Sequence, residues 1–276
     1  MKSKKTISKH DLEIIKNYCL LDDSFMEVCF NGNPNAVELV LRIILNKPDL
    51  SVIEVKIQDS LKNLRGRSVR MDILARDGHG TLYNIEIQRG EKGAAAKRAR
   101  YHASLMDAGI TSPGDDFEHL PELYVIFITE SDVRGRNKAV YEFAYIDIES
   151  GEPLDYGTHI LYVNNEFRDD SDIGKLMQDF AESDPDKMHY DVLAETARYY
   201  KEDAKGVADM YRVMDIKFNE GLREGKLEGA HSKAVELLKN LIESTGMNAE
   251  AAAAALRLSE DERDRCISEL NELDNK

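Results

Sequence analysis

The stretch RMDILARDGHGTLYNIEIQRG, residues 70–90, sets Asp72, Glu86 and Gln88 into segments that otherwise read as an apolar hairpin. A period of two places Arg70, Asp72 and Leu74 on one face of the first segment and Asn84, Glu86 and Gln88 on one face of the second. Pairing Asp77 with Thr81 around Gly78, His79 and Gly80 puts Asp72 directly opposite Glu86. A loop one residue shorter or longer would set Asp72 against Ile85 and mismatch the two faces, so the first register is expected. Carboxylates facing each other across strands repel unless something compensates. A hard cation such as Mg2+ or Mn2+ is the simplest compensator, needing only one or two carboxylates. It acidifies a water and polarises a phosphoryl oxygen. The bland alternative is a polar sheet face turned to solvent, its carboxylates paired with Arg70 or Lys97.

The surrounding elements must hold that hairpin in place. Residues 34–46 carry Val37, Val40, Leu41 and Ile44 at helical spacing behind Asn33 and Pro34, a cap and a first-turn residue. Residues 51–58 alternate like a half-buried strand, ending at Gln58. The segment at 94–109 is rich in helix formers, and ELYVIFITE at 122–130 reads as a buried central strand. Further strands are expected at 140–148 and 159–164. Beyond about residue 171 the pattern is helical and acidic, with Gly221, Gly225 and Gly229 spaced four apart on one helix face as a bendable connector. Ser259 and Glu262 form a capping box for a last helix. The expected division is a domain over 1–204 and a helical C-terminal extension over 205–276.

A chain of 276 residues, 42% hydrophobic and 32% charged, can bury a sizeable core. No segment approaches the ~18 uninterrupted apolar residues of a membrane span, and the start has no apolar run of signal-peptide length. With Cys19, Cys29 and Cys266 odd in number and far apart, this predicts a cytoplasmic chain with reduced thiols and no membrane partner. The net charge of −15 argues against a generally sticky binder of nucleic acid. Residues 60–101 depart from it, with ten basic side chains against four acidic ones. That island is either a solvated surface or an anion-binding groove.

An acidic residue on one strand and an acidic-x-(Lys or substitute) on the next, preceded by a helix and followed by a helix and a strand, resembles the PD-(D/E)XK nuclease superfamily. More closely, NLRGRSVRMDILARDGHGTLYNIEIQR, AKRARYHASLMDAG and LPELYVIFITESDV resemble the PD-(D/E)XK nuclease family transposases, over about residues 22–190. The resemblance implies an α/β fold with a restriction-endonuclease-like core, a mixed central sheet flanked by helices. It also implies metal-dependent hydrolysis of phosphodiester bonds in DNA, linked to transposition, recombination or mobile-element defence.

Carried over by position, Asp72 and Glu86 match the two acidic metal ligands, and Glu38 lies on the first helix, where many superfamily members supply another. Glu38 equally forms an i, i+4 pair with Arg42. Gln88 falls where many members carry lysine; glutamine can hydrogen-bond a water but cannot bring a positive charge to a developing oxyanion. Arg98, one turn before His102, is expected to supply that charge, in preference to Lys97. Arg67, Arg70, Arg89, Lys97 and Arg100 are the expected DNA-binding residues. Gln58 resembles a recurring glutamine of the family. The competing function is a binding or assembly protein on the same fold, with weak hydrolysis and an acidic helical tail that joins partners or protomers of a homo-oligomer.

Overall fold

The computed structural model describes residues 7–62, 68–90, 94–154 and 156–274. The chain divides into two compact units, Met1–Val213 and Met214–Lys276.

The first unit opens with helices α1 (Lys9–Asn17), α2 (Asp23–Phe30) and α3 (Pro34–Leu45). Strands β1 (Val52–Lys62), β2 (Ser68–Asp77) and β3 (Leu82–Gln88) follow, then α4 (Ala96–Ile110) and β4 (Leu123–Thr129). Strands β5 (Val140–Phe143) and β6 (Thr158–Asn164) lead to α5 (Asp172–Ala181), α6 (Asp191–Glu202) and α7 (Ala204–Thr245), whose first part belongs to this unit. The six strands form one mixed sheet in the order β1-β2-β3-β4-β6-β5. β1, β2 and β3 are antiparallel, β3, β4 and β6 parallel, and β5 antiparallel to β6.

Local chemistry explains most boundaries. The Asn33 side chain accepts from the Ala36 N–H, Pro34 fills the first turn, and Asn46 ends α3 in the left-handed region at φ 51°. Every residue of β4 is buried, as a continuous apolar run demands. Helix α4 closes one face of the sheet, with Ala99, Ala103 and Met106 against Leu82, Leu123, Val125 and Phe127. Helices α2 and α3 pack on β1. Ile73, Ile85, Ile126 and Ile128 are buried. A buried lysine ties the unit together: Lys201 Nζ donates to the carbonyls of Lys16, Tyr18 and Ser183 and lies 4.9 Å from the Phe25 ring centroid.

One expectation changes, and helix α2 was not foreseen. The strand expected over 140–148 pairs with β6 only as far as Phe143; Ile146 pairs instead with Pro153 in a small hairpin, which Asp147 Oδ1 turns by accepting from the N–H groups of Glu149 and Ser150, leaving Ile148 97% exposed. Helix α2 gives no amphipathic stripe in sequence, since Phe25, Met26, Val28, Cys29 and Phe30 are buried on almost every side of its eight residues.

The second unit holds the rest of α7, which stays helical through Gly221, Gly225 and Gly229, with α8 (Ala249–Ala255) and α9 (Glu260–Asp274). Val235, Leu238, Ala252, Ala253, Cys266 and Leu270 form its core. The Asn248 side chain caps α8, and Ser259 and Glu262 make the expected reciprocal cap of α9. Among the described residues no helix is long and apolar enough to cross a membrane.

Candidate active site

The hairpin takes the expected register. The Asp77 N–H donates to the Thr81 carbonyl, Gly80 turns at φ 91°, and Ile73 pairs with Ile85 and Leu74 with Asn84. Backbone pairing of β2 with β3 runs only as far as Ile73 and Ile85, although β2 continues against β1 and β3 against β4. At the next step carboxylates replace the ladder. The Asp72 N–H donates to Glu86 Oε1 at 3.2 Å, and the Ile87 N–H donates to Asp72 Oδ2 at 2.9 Å.

β1 is irregular at the same level. Its register with β2 passes from Ile57↔Ile73 to Asp59↔Met71, leaving out Gln58, which sits in the left-handed region at φ 53°. A non-glycine residue held there costs of order 1–2 kcal/mol and persists only where its surroundings fix it. Gln58 Nε2 donates to Glu27 Oε2 of α2 at 2.8 Å. Asp72 is thus passed over by the backbone pairing on both sides, with no shift of register at Gln58.

Asp72, half-buried, lies beside Glu86. Glu86 is fully buried. Burial is the first cause that raises the Asp72 carboxyl to a pKa of about 7, and the Glu86 charge is the second; the Ile87 N–H opposes the shift, Asp23 adds to it and Arg98 opposes it. From α4, Arg98 Nη2 donates to Glu86 Oε2 at 2.9 Å, Nη1 to Gln88 Oε1 at 3.0 Å and Nε to His102 Nε2 at 3.3 Å. An arginine Nε only donates, so His102 carries its proton on Nδ1. That nitrogen lies 2.9 Å from the Asn84 amide and 3.4 Å from Glu86 Oε1. Asn84 Oδ1 is buried without a partner, and turning the amide brings it to the His102 N–H.

This donor set fits a hard divalent cation. Two carboxylates on adjacent strands suffice for Mg2+ when substrate oxygens and waters complete the shell, and the burial that first raises the Asp72 pKa, with the Glu86 charge second, is a penalty that a cation would relieve. Among the described residues no group of three or more His, Cys, Asp or Glu side chains is arranged to hold a metal.

Glu38 is not brought to this pair. Its Oε1 meets Arg42 Nη2 at 2.7 Å and its Oε2 accepts the Val52 N–H at 2.9 Å. Val52 pairs with Asp77 at the turn end of β2, five residues from Asp72 and so roughly 16 Å away at about 3.3 Å per residue. The acidic helix residues on the Asp72 side belong instead to α2: Asp23 acts on its charge and Glu27 holds Gln58.

Val69, Arg70, Lys97, Arg98, Tyr101 and His102 line an open groove of about 600 Å³, which Arg100 also borders. Arg70, Lys97 and Arg100 are exposed. Arg89 is committed elsewhere, bridging Asp22 and Glu130, the latter at 2.8 Å. Arg67 lies outside the described residues.

The family model for the PD-(D/E)XK nuclease family transposases matches residues 36–173. The chain belongs to that family. No curated protein and no solved structure matches it. The matched span runs from α3 to the start of α5 and contains the six described strands, Asp72, Glu86, Gln88 and Arg98. The mixed sheet with flanking helices is the restriction-endonuclease-like fold of these transposases. Helix α2, with Asp22, Asp23 and Glu27, precedes the matched residues. Sequence reasoning missed its approach to Asp72. The left-handed Gln58 and its bond to Glu27 depend on contacts across 31 residues that no local pattern encodes.

Proposed function

We propose that this chain is a divalent-metal-dependent DNA endonuclease acting in the cytoplasm in transposition, recombination or mobile-element defence. The observation that carries the reading is the convergence of Asp72, Glu86, Gln88 and Arg98 where β2 parts from β3, beside a groove lined by arginine and lysine. Asp72 and Glu86 would hold Mg2+ or Mn2+, which when bound acidifies water and draws charge from a phosphoryl oxygen. Gln88 offers its amide to the attacking water or to a phosphate oxygen. Arg98, held by His102, supplies the positive charge that glutamine lacks. Arg70, Lys97 and Arg100 hold the DNA backbone, a contact that weakens as salt rises.

A second reading is a nuclease-fold binding or assembly protein with weak hydrolysis. The observation in its favour is that Arg98 already occupies Glu86 Oε2. Nicking of supercoiled plasmid separates the two readings. The enzyme predicts nicks with Mg2+ or Mn2+ that disappear in Asp72→Asn and in chelator; shifted but uncut plasmid at every metal concentration establishes the binding protein. Residues beyond Val213 are proposed as a helical extension that joins protomers or partners, and a chain ended there is expected to fold and keep the nuclease site.

A further inference from the structure

Helix α4 separates two cavities, and Lys97 and Arg100 border both. The first is the basic groove beside Glu86 and Arg98. The second, of about 430 Å³, lies between α4 and strands β5 and β6 and is walled by Arg134, Phe143, Tyr145, Ile160 and Tyr162. Its walls are aromatic where the groove is cationic. The Arg134 guanidinium stands 4.7 Å from the Phe143 ring centroid, and Phe143 meets Tyr162 edge-on at 5.6 Å. Tyr145 is 47% exposed and is fixed edge-on against Tyr156 at 4.5 Å. The Tyr162 hydroxyl is buried and has no hydrogen-bond partner.

These features select a ligand class. Lys97, Arg100 and Arg134 together, on a chain of net charge −15, call for an anion. Flat aromatic walls with a guanidinium beside them call for a planar ring, which stacks on phenylalanine, tyrosine and arginine whatever its sequence. The volume is that of a small-molecule site and too small for a duplex. A nucleotide has both the anion and the ring. Because Lys97 and Arg100 border both cavities, a strand whose phosphates lie in the groove passes the mouth of the pocket.

We infer that the pocket takes one unstacked nucleobase of the DNA strand held in the groove, the base against Phe143 and Tyr145 with its phosphate on Lys97 and Arg100. The inference rests on the nuclease reading of that groove and adds a substrate class, DNA with a nucleotide already out of the helical stack. Extruding a base costs least where it is mismatched or single-stranded. Such DNA is therefore preferred over a fully paired duplex.

Fluorescence anisotropy in chelator, where no strand can be cut, tests this with a labelled duplex and the same duplex carrying one central mismatch. The wild-type chain is expected to bind the mismatched duplex about tenfold more tightly, the scale of one base stacked on aromatic side chains. Tyr145→Ala, at an exposed position, and Phe143→Leu should each bring the mismatched duplex down to the affinity of the paired one. Equal binding of both duplexes by wild type overturns the pocket, as does full preference kept by both variants. The groove is read separately: Lys97→Gln with Arg100→Gln should weaken binding of both duplexes and flatten its salt dependence. If that double variant binds paired duplex like wild type, the groove reading has failed, whatever Tyr145 does.

Discussion

Strand β2 carries a buried aspartate, Asp77, and a half-buried one, Asp72, five residues apart, whose surroundings are opposite. Asp77, at the turn, is fully used: Oδ1 accepts from the N–H groups of His79 at 2.9 Å and Thr81 at 3.0 Å, and Oδ2 from the Tyr83 hydroxyl at 2.8 Å. Asp72, at the other end, accepts the Ile87 N–H on Oδ2 and faces the Glu86 charge, and its pKa rises to about 7. One carboxylate builds the hairpin. The other is left with acceptor capacity and an unfavourable charge, which a structural role would have removed.

That contrast breaks most sharply under substitution. Asp72→Asn and Glu86→Gln are expected to abolish plasmid nicking, by a hundredfold or more, and to remove the rise in melting temperature that Mn2+ gives wild type, on the scale of about 2.7 kcal/mol at a hundred times the dissociation constant. Asp77→Ala should do the reverse, costing about 2–3 kcal/mol in urea unfolding by stranding three donors, with cleavage per folded molecule retained. A nicking defect in Asp77→Ala that exceeds its loss of folded protein would erase the distinction.

Arg98→Met should destabilise the metal-free chain by about 2–3 kcal/mol. It strands the fully buried Glu86, and the effect falls below that of a wholly buried pair because the Arg98 side chain is 37% exposed. Mn2+ should restore most of that stability.

The pH dependence has a definite sign. Asp72 keeps its proton in the folded state up to about pH 7 and loses it near 4 when unfolded, so the folded chain binds more protons between those values. Its contribution to metal-free stability is therefore greatest at low pH and falls as pH rises from about 4 to 7. Asp72→Asn should remove that decline, gaining on the order of 2 kcal/mol over wild type at pH 8 and little at pH 4. The smallest effect is expected from Gln88→Ala: about a tenfold loss of cleavage with the Mn2+ shift in melting temperature kept. Loss of that shift would make Gln88 a ligand.

The register of this hairpin was legible because apolar alternation on both strands and a three-residue loop with Gly80 admit one pairing. The pairing of Arg98 with the site was legible from its helical spacing to His102. Three features were not. Glu38 looked like a ligand because the resemblance puts an acidic ligand on a helix before the hairpin, but the distance along β2 from Asp77 to Asp72 is a tertiary fact. The commitment of Arg89 to Asp22 and Glu130 joins residues 67 and 41 positions apart. The burial of Asn84 and Glu86 beneath α4, against its buried His102, reverses the rule that the polar side of an alternating strand faces water.

The exchange of ladder partners for carboxylates at Asp72 and Ile87 also makes these two amides reporters. In the regular ladder from Ile73–Ile85 towards the turn, strand pairs hydrogen-bond through carbonyls, whose strength as acceptors does not change with solution conditions. The protons of Asp72 and Ile87 are held by oxygens that titrate and that a cation would claim. Their hydrogen exchange and chemical shifts should follow pH and added Mg2+ while those of Ile73 and Ile85, one and two residues along their strands, stay fixed. Two neighbouring pairs of signals then read the charge state of the site from within the sheet, before any DNA is added.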